Sequence, residues 1–224
     1  LEYRYTHWIV DAINGSNPGA GPLDAVFVGG GAFTLPRWLE ATRPGSRSLV
    51  LEVDGDMVDF VEDDLGVRAS SAMRVAVGDG RIEMLDVETD SVDVVVGDAF
   101  SGLTVPWHLT TTEWMEEVQR VLRPGGLYAA NIIDLPPLDF LKAETATMLD
   151  SFEEVRMITY ADEFGAPAGG NIVLIASDRP LSERAGSVAM GATTFAGPEV
   201  DSFAADGKIL TDSYAPVDQL LTVP

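Results

Sequence analysis

Hydrophobic and polar positions follow two alternating periods along this chain. Residues 1–13 place Tyr5, Trp8, Ile9, Ala12 and Ile13 at helical spacing, and a Gly/Pro/Asn/Ser stretch over 14–22 closes that segment. An apolar run at 25–28 then reads as a buried strand, followed by Gly29, Gly30 and Gly31 and by Phe33, Leu35, Trp38 and Leu39 at helical spacing. Further short apolar runs predict strands at 48–52, 73–77, 91–100 and 127–133, with helical patterns at 54–65, 113–122 and 138–149. The helix over 113–122 has Thr110 to Thr112 as its cap and stops at Arg123-Pro124-Gly125-Gly126. Residues 152–160 and 171–176 read as a closing strand pair around a Gly/Ala/Pro turn. Strands alternating with helices in this order predict an α/β fold with a seven-stranded, mostly parallel sheet and an antiparallel edge strand.

The glycine turn between the first strand and helix has the form of a nucleotide-binding βαβ unit. Gly29 and Gly31 fit G-x-G, while Thr34 stands where a third glycine belongs. The second strand ends at Glu52, about 20 positions beyond Gly31, the spacing at which a carboxylate meets a ribose hydroxyl pair. Parallel strands present their carboxyl ends together, so Asp79 and Gly80 after the third strand and Asp98 after the fourth face the same crevice. Asp79 has two readings, an acceptor for an adenine amino group or a cap for the next short helix. Asp98, partly desolvated at that edge, is the candidate to deprotonate or orient a nucleophile.

These features predict a nucleoside-binding, Rossmann-like domain over 23–178, of the layout of S-adenosylmethionine methyltransferases. It is preceded by a helix and linker (1–22) and followed by a tail (179–224) that packs on the domain, with one ordered segment at 208–221. The first helix is expected to close the sheet edge rather than cover the pocket, and His7 to be structural.

Composition narrows the function classes. The 224-residue chain has 46% hydrophobic residues, as a globular protein does. It has no cysteine, which excludes disulfides and a thiolate zinc site, and its two histidines exclude a histidine-rich metal site. No apolar run has the length of a membrane span and no signal-peptide pattern opens the chain, so a cytoplasmic location is expected. A net charge of −22 repels nucleic acid and anionic membranes. It keeps the chain soluble, and it is compatible with an amine substrate.

The strings VGGGAFTLPRWL (28–39), RPGSRSLVLEVDGDMV (43–58), RVAVGDGR (74–81), DVVVGDAFSG…VPWHLTTTEW (93–114), VLRPGGLYAANIID (121–134) and LTDSYAPVDQL (210–220) resemble the spermidine synthase (polyamine aminopropyltransferase) superfamily. The likeness is to its shorter, divergent, spermidine synthase-like bacterial branch. The resemblance implies decarboxylated S-adenosylmethionine, or S-adenosylmethionine itself, as co-substrate, a polyamine as second small-molecule partner, no metal, and a homodimer. It implies that Gly29, Gly30 and Gly31 line the nucleoside and sulfonium, that Glu52 binds the ribose, and that Asp79 and Gly80 face the adenine. Asp98 is then the acid that helps to deprotonate the attacking amine. Ser101, Asp212 and Tyr214 fall at substrate positions, and the Trp8 and Trp107 regions are candidate exposed aromatic surfaces for a dimer.

Two departures stand out. Ala32 occupies the position of an acid that holds the aminopropyl ammonium, and Ser101 that of a second acid used on the diamine. Three readings therefore remain: aminopropyl transfer with altered or lost amine specificity, S-adenosylmethionine-dependent methyl transfer, and a non-catalytic nucleoside-binding or scaffold homologue. The strand order and the Asp98 string argue against an NAD-dependent dehydrogenase.

Overall fold

The computed structural model describes residues 1–67, 69–162, 165–186 and 191–222. Helix α1 (Arg4–Ser16) leads into β1 (Asp24–Val28), α2 (Thr34–Thr42), β2 (Arg47–Glu52), α3 (Gly55–Asp63), β3 (Met73–Val77), the short α4 (Gly80–Met84) and β4 (Val92–Gly97). There follow α5 (Thr112–Val121), β5 (Leu122–Asp134), α6 (Asp139–Ser151), β6 (Glu154–Thr159), β7 (Gly170–Ser177), β8 (Thr193–Ala196), α7 (Pro198–Ala204) and α8 (Val217–Leu220). The strands form one sheet in the order β3-β2-β1-β4-β5-β7-β6-β8. Strands β1 to β5 pair in parallel, and β7, β6 and β8 continue the sheet antiparallel.

The methyltransferase-like Rossmann layout is thus present with eight strands rather than the seven expected. The extra strand, β8, pairs with β6 from Arg156↔Ala196 to Thr159↔Thr193. It is four residues long with one buried side chain, too short to show a period in sequence. The glycine turn expected after α5 is absorbed into β5: pairing with β4 jumps from Val92↔Leu122 to Val94↔Leu127, so Arg123 to Gly126 form an irregularity within the strand. The Gly125 amide donates to Asp178 there.

Two apolar layers sandwich the sheet. One packs Trp114, Met115, Val118, Phe140 and Leu141 against β4, β5 and β7; the other packs Trp8, Ile9, Ile13, Leu39 and Val61 against the opposite face. Helix α1 belongs to the second layer. It lies over β5 and β7, not along the sheet edge where it was expected. Trp8, Ile9, Ala12 and Ile13 are all buried on one stripe of it, and only a sheet face offers enough surface to cover them. Trp8 is accordingly 1% exposed, edge-on to Tyr160 at 5.3 Å, and is not the surface aromatic expected; Trp107 is half exposed. His7 hydrogen-bonds the Leu1 carbonyl at 3.0 Å.

The tail returns to the domain. Leu210 N–H donates to Thr147 at 2.9 Å, and Thr222 N–H donates to the buried Asp134 at 3.3 Å. Residues 187–190 and 223–224 of the expected tail lie outside the described residues.

One core position works against stability. Glu144 on α6 is 1% exposed and its Oε2 finds no hydrogen-bond partner. Burial raises its pKa well above the ordinary 4.5, so it sits in the fold as the neutral acid. As pH rises past 4.5, the unfolded chain releases this proton while the folded one keeps it, and stability falls until the folded pKa is reached. Glu144→Gln removes that slope. Its melting temperature relative to the native chain is expected to climb as pH rises above 4.5, until the raised folded pKa of Glu144 is reached. A difference that is flat with pH would show that Glu144 is not held neutral.

Candidate active site

The parallel strands reverse direction of progression between β1 and β4, which opens a crevice at their carboxyl ends. Val28 pairs with Gly97, so the chain leaves the sheet at Gly29 on one strand directly beside Asp98 on the next. Gly29 N–H donates to Leu51 O and Asp98 N–H to Val28 O, both at 2.8 Å. The turn is tight: Gly29 has φ +94°, and Phe33, the fully buried residue before α2, is left-handed at φ +54°.

Two adjoining cavities fill this crevice and share Gly29, Gly31, Asp98 and Phe100. The first, of about 400 Å³, is walled by Leu51, Glu52, Asp54, Met57, Asp79 and Gly80, with Pro106, His108 and Leu109 above. The second, of about 430 Å³, runs from the glycine turn under α1 and is walled by Tyr3, Tyr5, Ala32, Leu35, Asn131 and Asn171 among others. Asp98 stands where they meet.

In the first compartment the carboxylates also hold the backbone that shapes it. Glu52 Oε2 accepts from Gly30 N–H at 2.7 Å and its Oε1 from Asp54 N–H at 3.0 Å, so the residue that faces the cavity also pins the glycine turn. Asp79 caps α4 through Oδ1, accepting from Arg81 and Ile82 N–H, while its Oδ2 meets His108 Nε2 at 3.0 Å. Both readings of Asp79 are therefore compatible with one side chain: it caps a helix and lines the cavity. The described lining contains four carboxylates, Glu52, Asp54, Asp79 and Asp98, and no lysine or arginine.

Asp98 is gripped on both oxygens. The Tyr5 hydroxyl donates to Oδ2 at 3.0 Å and the Asn131 amide to Oδ1 at 2.8 Å. Asn171 on β7 in turn donates to Asn131 Oδ1 at 3.2 Å, a diagonal neighbour across the β5–β7 pair, and this fixes which end of the Asn131 amide faces Asp98. Burial raises the Asp98 pKa and the two hydrogen bonds oppose it. Burial, together with the contact to Asp98, pushes the Tyr5 phenol upward, so Tyr5 remains a donor. A carboxylate that is desolvated yet ionisable, open to a cavity on each side, is equipped to take a proton from a nucleophile.

Tyr5, Asn131, Asn171 and His108 were not singled out from the sequence as site residues. Tyr5 continues the apolar stripe of α1 and reads as core. Asn131 does carry a signal, since a lone amide inside the apolar run 127–133 has to find a partner.

The other sequence candidates lie elsewhere. Ser101 bridges to Thr104 and lines a separate cavity with Trp107, His108 and Asp218. Asp212 makes a bidentate pair with Arg81 at 2.6 and 2.8 Å and accepts from Thr111, which lowers its pKa. Tyr214 is exposed, with Lys208 over its ring at 5.5 Å. None of the three lines either compartment around Asp98. Ala32 lines the second compartment without adding charge.

Comparison with known proteins finds relatives in sequence and in fold. Residues 26–130 match the model of a methyltransferase domain. A polyamine aminopropyltransferase of Vibrio vulnificus (strain CMCP6) is 25% identical over 215 residues, covering 89% of this chain and 70% of that protein. The crystal structure of a probable spermidine synthase from Corynebacterium glutamicum ATCC 13032 superposes with a TM-score of 0.84 at 28% identity, covering 100% of this chain and 84% of the other. Spermidine synthase from Thermotoga maritima shares the fold, with a TM-score of 0.65 at 16% identity over 100% of this chain and 72% of that one.

Proposed function

We propose that this chain, similar to a polyamine aminopropyltransferase and to a probable spermidine synthase, is a spermidine synthase-like protein that transfers an aminopropyl group from decarboxylated S-adenosylmethionine to an amine, with altered or lost amine specificity. One observation carries the choice of donor. Four carboxylates and no lysine or arginine line the described nucleoside compartment. Decarboxylated S-adenosylmethionine presents a sulfonium and an ammonium to that wall. S-adenosylmethionine adds a carboxylate near the Gly29–Gly31 turn, beside Asp98, where the described lining of neither compartment offers a lysine or arginine to pair with it.

In this reading Glu52 takes the ribose hydroxyls, Asp79 and Gly80 the adenine, and the Gly29–Gly31 turn lies along the sulfonium. The amine enters from the α1 side. Its nitrogen lone pair attacks the aminopropyl carbon, the carbon–sulfur bond breaks with its electrons going to sulfur, and methylthioadenosine leaves neutral. The proton lost by the amine passes to Asp98, whose raised pKa suits it to hold that proton. Tyr5 and Asn131 keep the carboxylate aimed between the two compartments. A cytoplasmic homodimer completes the proposal; among the described residues, no helix is long and apolar enough to cross a membrane.

Methyl transfer from S-adenosylmethionine is the second reading, favoured by the methyltransferase-domain match over 26–130. Incubation with each donor and a panel of amines, read by mass spectrometry, separates the two. Methylthioadenosine with an aminopropylated amine is the expected product pair. S-adenosylhomocysteine with a methylated acceptor overturns the proposal, and no product from either donor favours a non-catalytic homologue.

Glu52 tests the nucleoside half on its own. Glu52→Ala is expected to weaken methylthioadenosine binding by about 1–3 kcal/mol, the scale of lost charge-assisted hydrogen bonds. Glu52→Gln keeps an acceptor for the Gly30 amide and is expected to lose less. Titration calorimetry checks both, and an unchanged dissociation constant in Glu52→Ala places the nucleoside elsewhere.

A further inference from the structure

Within the aminopropyl-transfer reading, on which this inference rests, the second compartment defines what kind of amine can be the acceptor. Its described lining holds one carboxylate, Asp98, and no lysine or arginine. Asp98 has one protein donor on each oxygen, which leaves one lone pair on each to accept from an amine head group. Away from Asp98 the wall is aromatic and aliphatic: Phe27, Leu35, Pro36, Phe100 and Ile133. At its outer end Tyr3 and Tyr5 stack with ring centroids 6.1 Å apart, and Tyr3 is 70% exposed. The remaining polar side chains, Thr6, Thr34, Asn131 and Asn171, are neutral.

A diamine bound with one nitrogen at Asp98 has to place its second ammonium against this neutral wall. An ammonium stripped of water without a carboxylate partner is strongly disfavoured. An amine with a flat apolar body meets the opposite situation: its head pairs with Asp98 and its body covers aromatic surface. We infer that the acceptor is a primary monoamine with an aromatic-sized apolar body, of the arylalkylamine class, rather than an α,ω-diamine. Bulk electrostatics point the other way, because a chain of net charge −22 attracts a dication more strongly than a monocation. A preference for the monoamine therefore has to come from the compartment itself.

The test is calorimetric titration of 2-phenylethylamine and of 1,4-diaminobutane into the protein saturated with methylthioadenosine, at about 150 mM salt to screen the surface field. Phenylethylamine is expected to bind at least tenfold more tightly than diaminobutane. It is expected to lose at least tenfold in Asp98→Asn, whose integrity is shown by retained methylthioadenosine binding. Equal or tighter binding of diaminobutane overturns the inference. So does phenylethylamine affinity that is unchanged in Asp98→Asn, or the failure of both amines while methylthioadenosine binds. Absence of methylthioadenosine binding in the first step is a different failure: it removes the transfer reading itself, and the acceptor class with it.

Discussion

Replacing Asp98 by asparagine is expected to lower turnover by about 10²–10⁴-fold, the range for loss of a positioned general base, and to leave methylthioadenosine affinity nearly unchanged. The substitution is close to isosteric. It removes the proton acceptor, and it also sets the introduced amide against that of Asn131 unless one of them flips. The Tyr5 hydroxyl can turn from donor to acceptor, so the local packing survives. Steady-state rates together with nucleoside titration separate the two effects. In the native protein the rate is expected to fall as pH drops through the Asp98 pKa, which burial places above the ordinary 3.8. Lowered donor affinity with an unchanged rate would take Asp98 out of the chemistry and leave it a binding residue.

The second large effect is structural. Gly29→Ala puts a Cβ 2.8 Å from the carbonyl carbon of Asp98, and nearer still to its oxygen, on a residue at φ +94°. Neither neighbour is a flexible side chain that can swing away; both are backbone at the paired ends of β1 and β4. Overpacking costs about 1–3 kcal/mol and a left-handed non-glycine residue about 1–2 more. A loss of roughly 3 kcal/mol in urea unfolding is therefore expected, with nucleoside binding impaired because Asp98 is pushed from its place. Gly31→Ala is the internal control: it too has positive φ (+48°) but its Cβ meets nothing within 4 Å, so a smaller loss is expected. Equal losses at the two glycines would mean that close approach to Asp98 is not what Gly29 provides.

How far the sequence could be read follows from where its signals are local. Strands β1 to β4 are short, mostly apolar runs, and the expected segments match them within a few residues. That Glu52, Asp79 and Asp98 line one crevice was legible because a parallel sheet puts every strand's carboxyl end at the same edge. The partners of Asp98 were not, because they arrive from distant segments: Tyr5 is 93 positions away and Asn131 is 33. The place of α1 failed for the same reason. Its amphipathic stripe shows that it buries one face, but not which surface receives it. Arg81 and Asp212, 131 positions apart, form an ion pair that no spacing rule reveals, and Asp212 lines neither compartment around Asp98.

The most direct test of the central claim, that the acidic crevice favours a donor without the methionine carboxylate, is calorimetric titration with methylthioadenosine and S-adenosylhomocysteine in parallel. With Glu52, Asp54, Asp79 and Asp98 around the crevice, methylthioadenosine is expected to bind more tightly. Tighter binding of S-adenosylhomocysteine would contradict it and assign the crevice to methyl transfer.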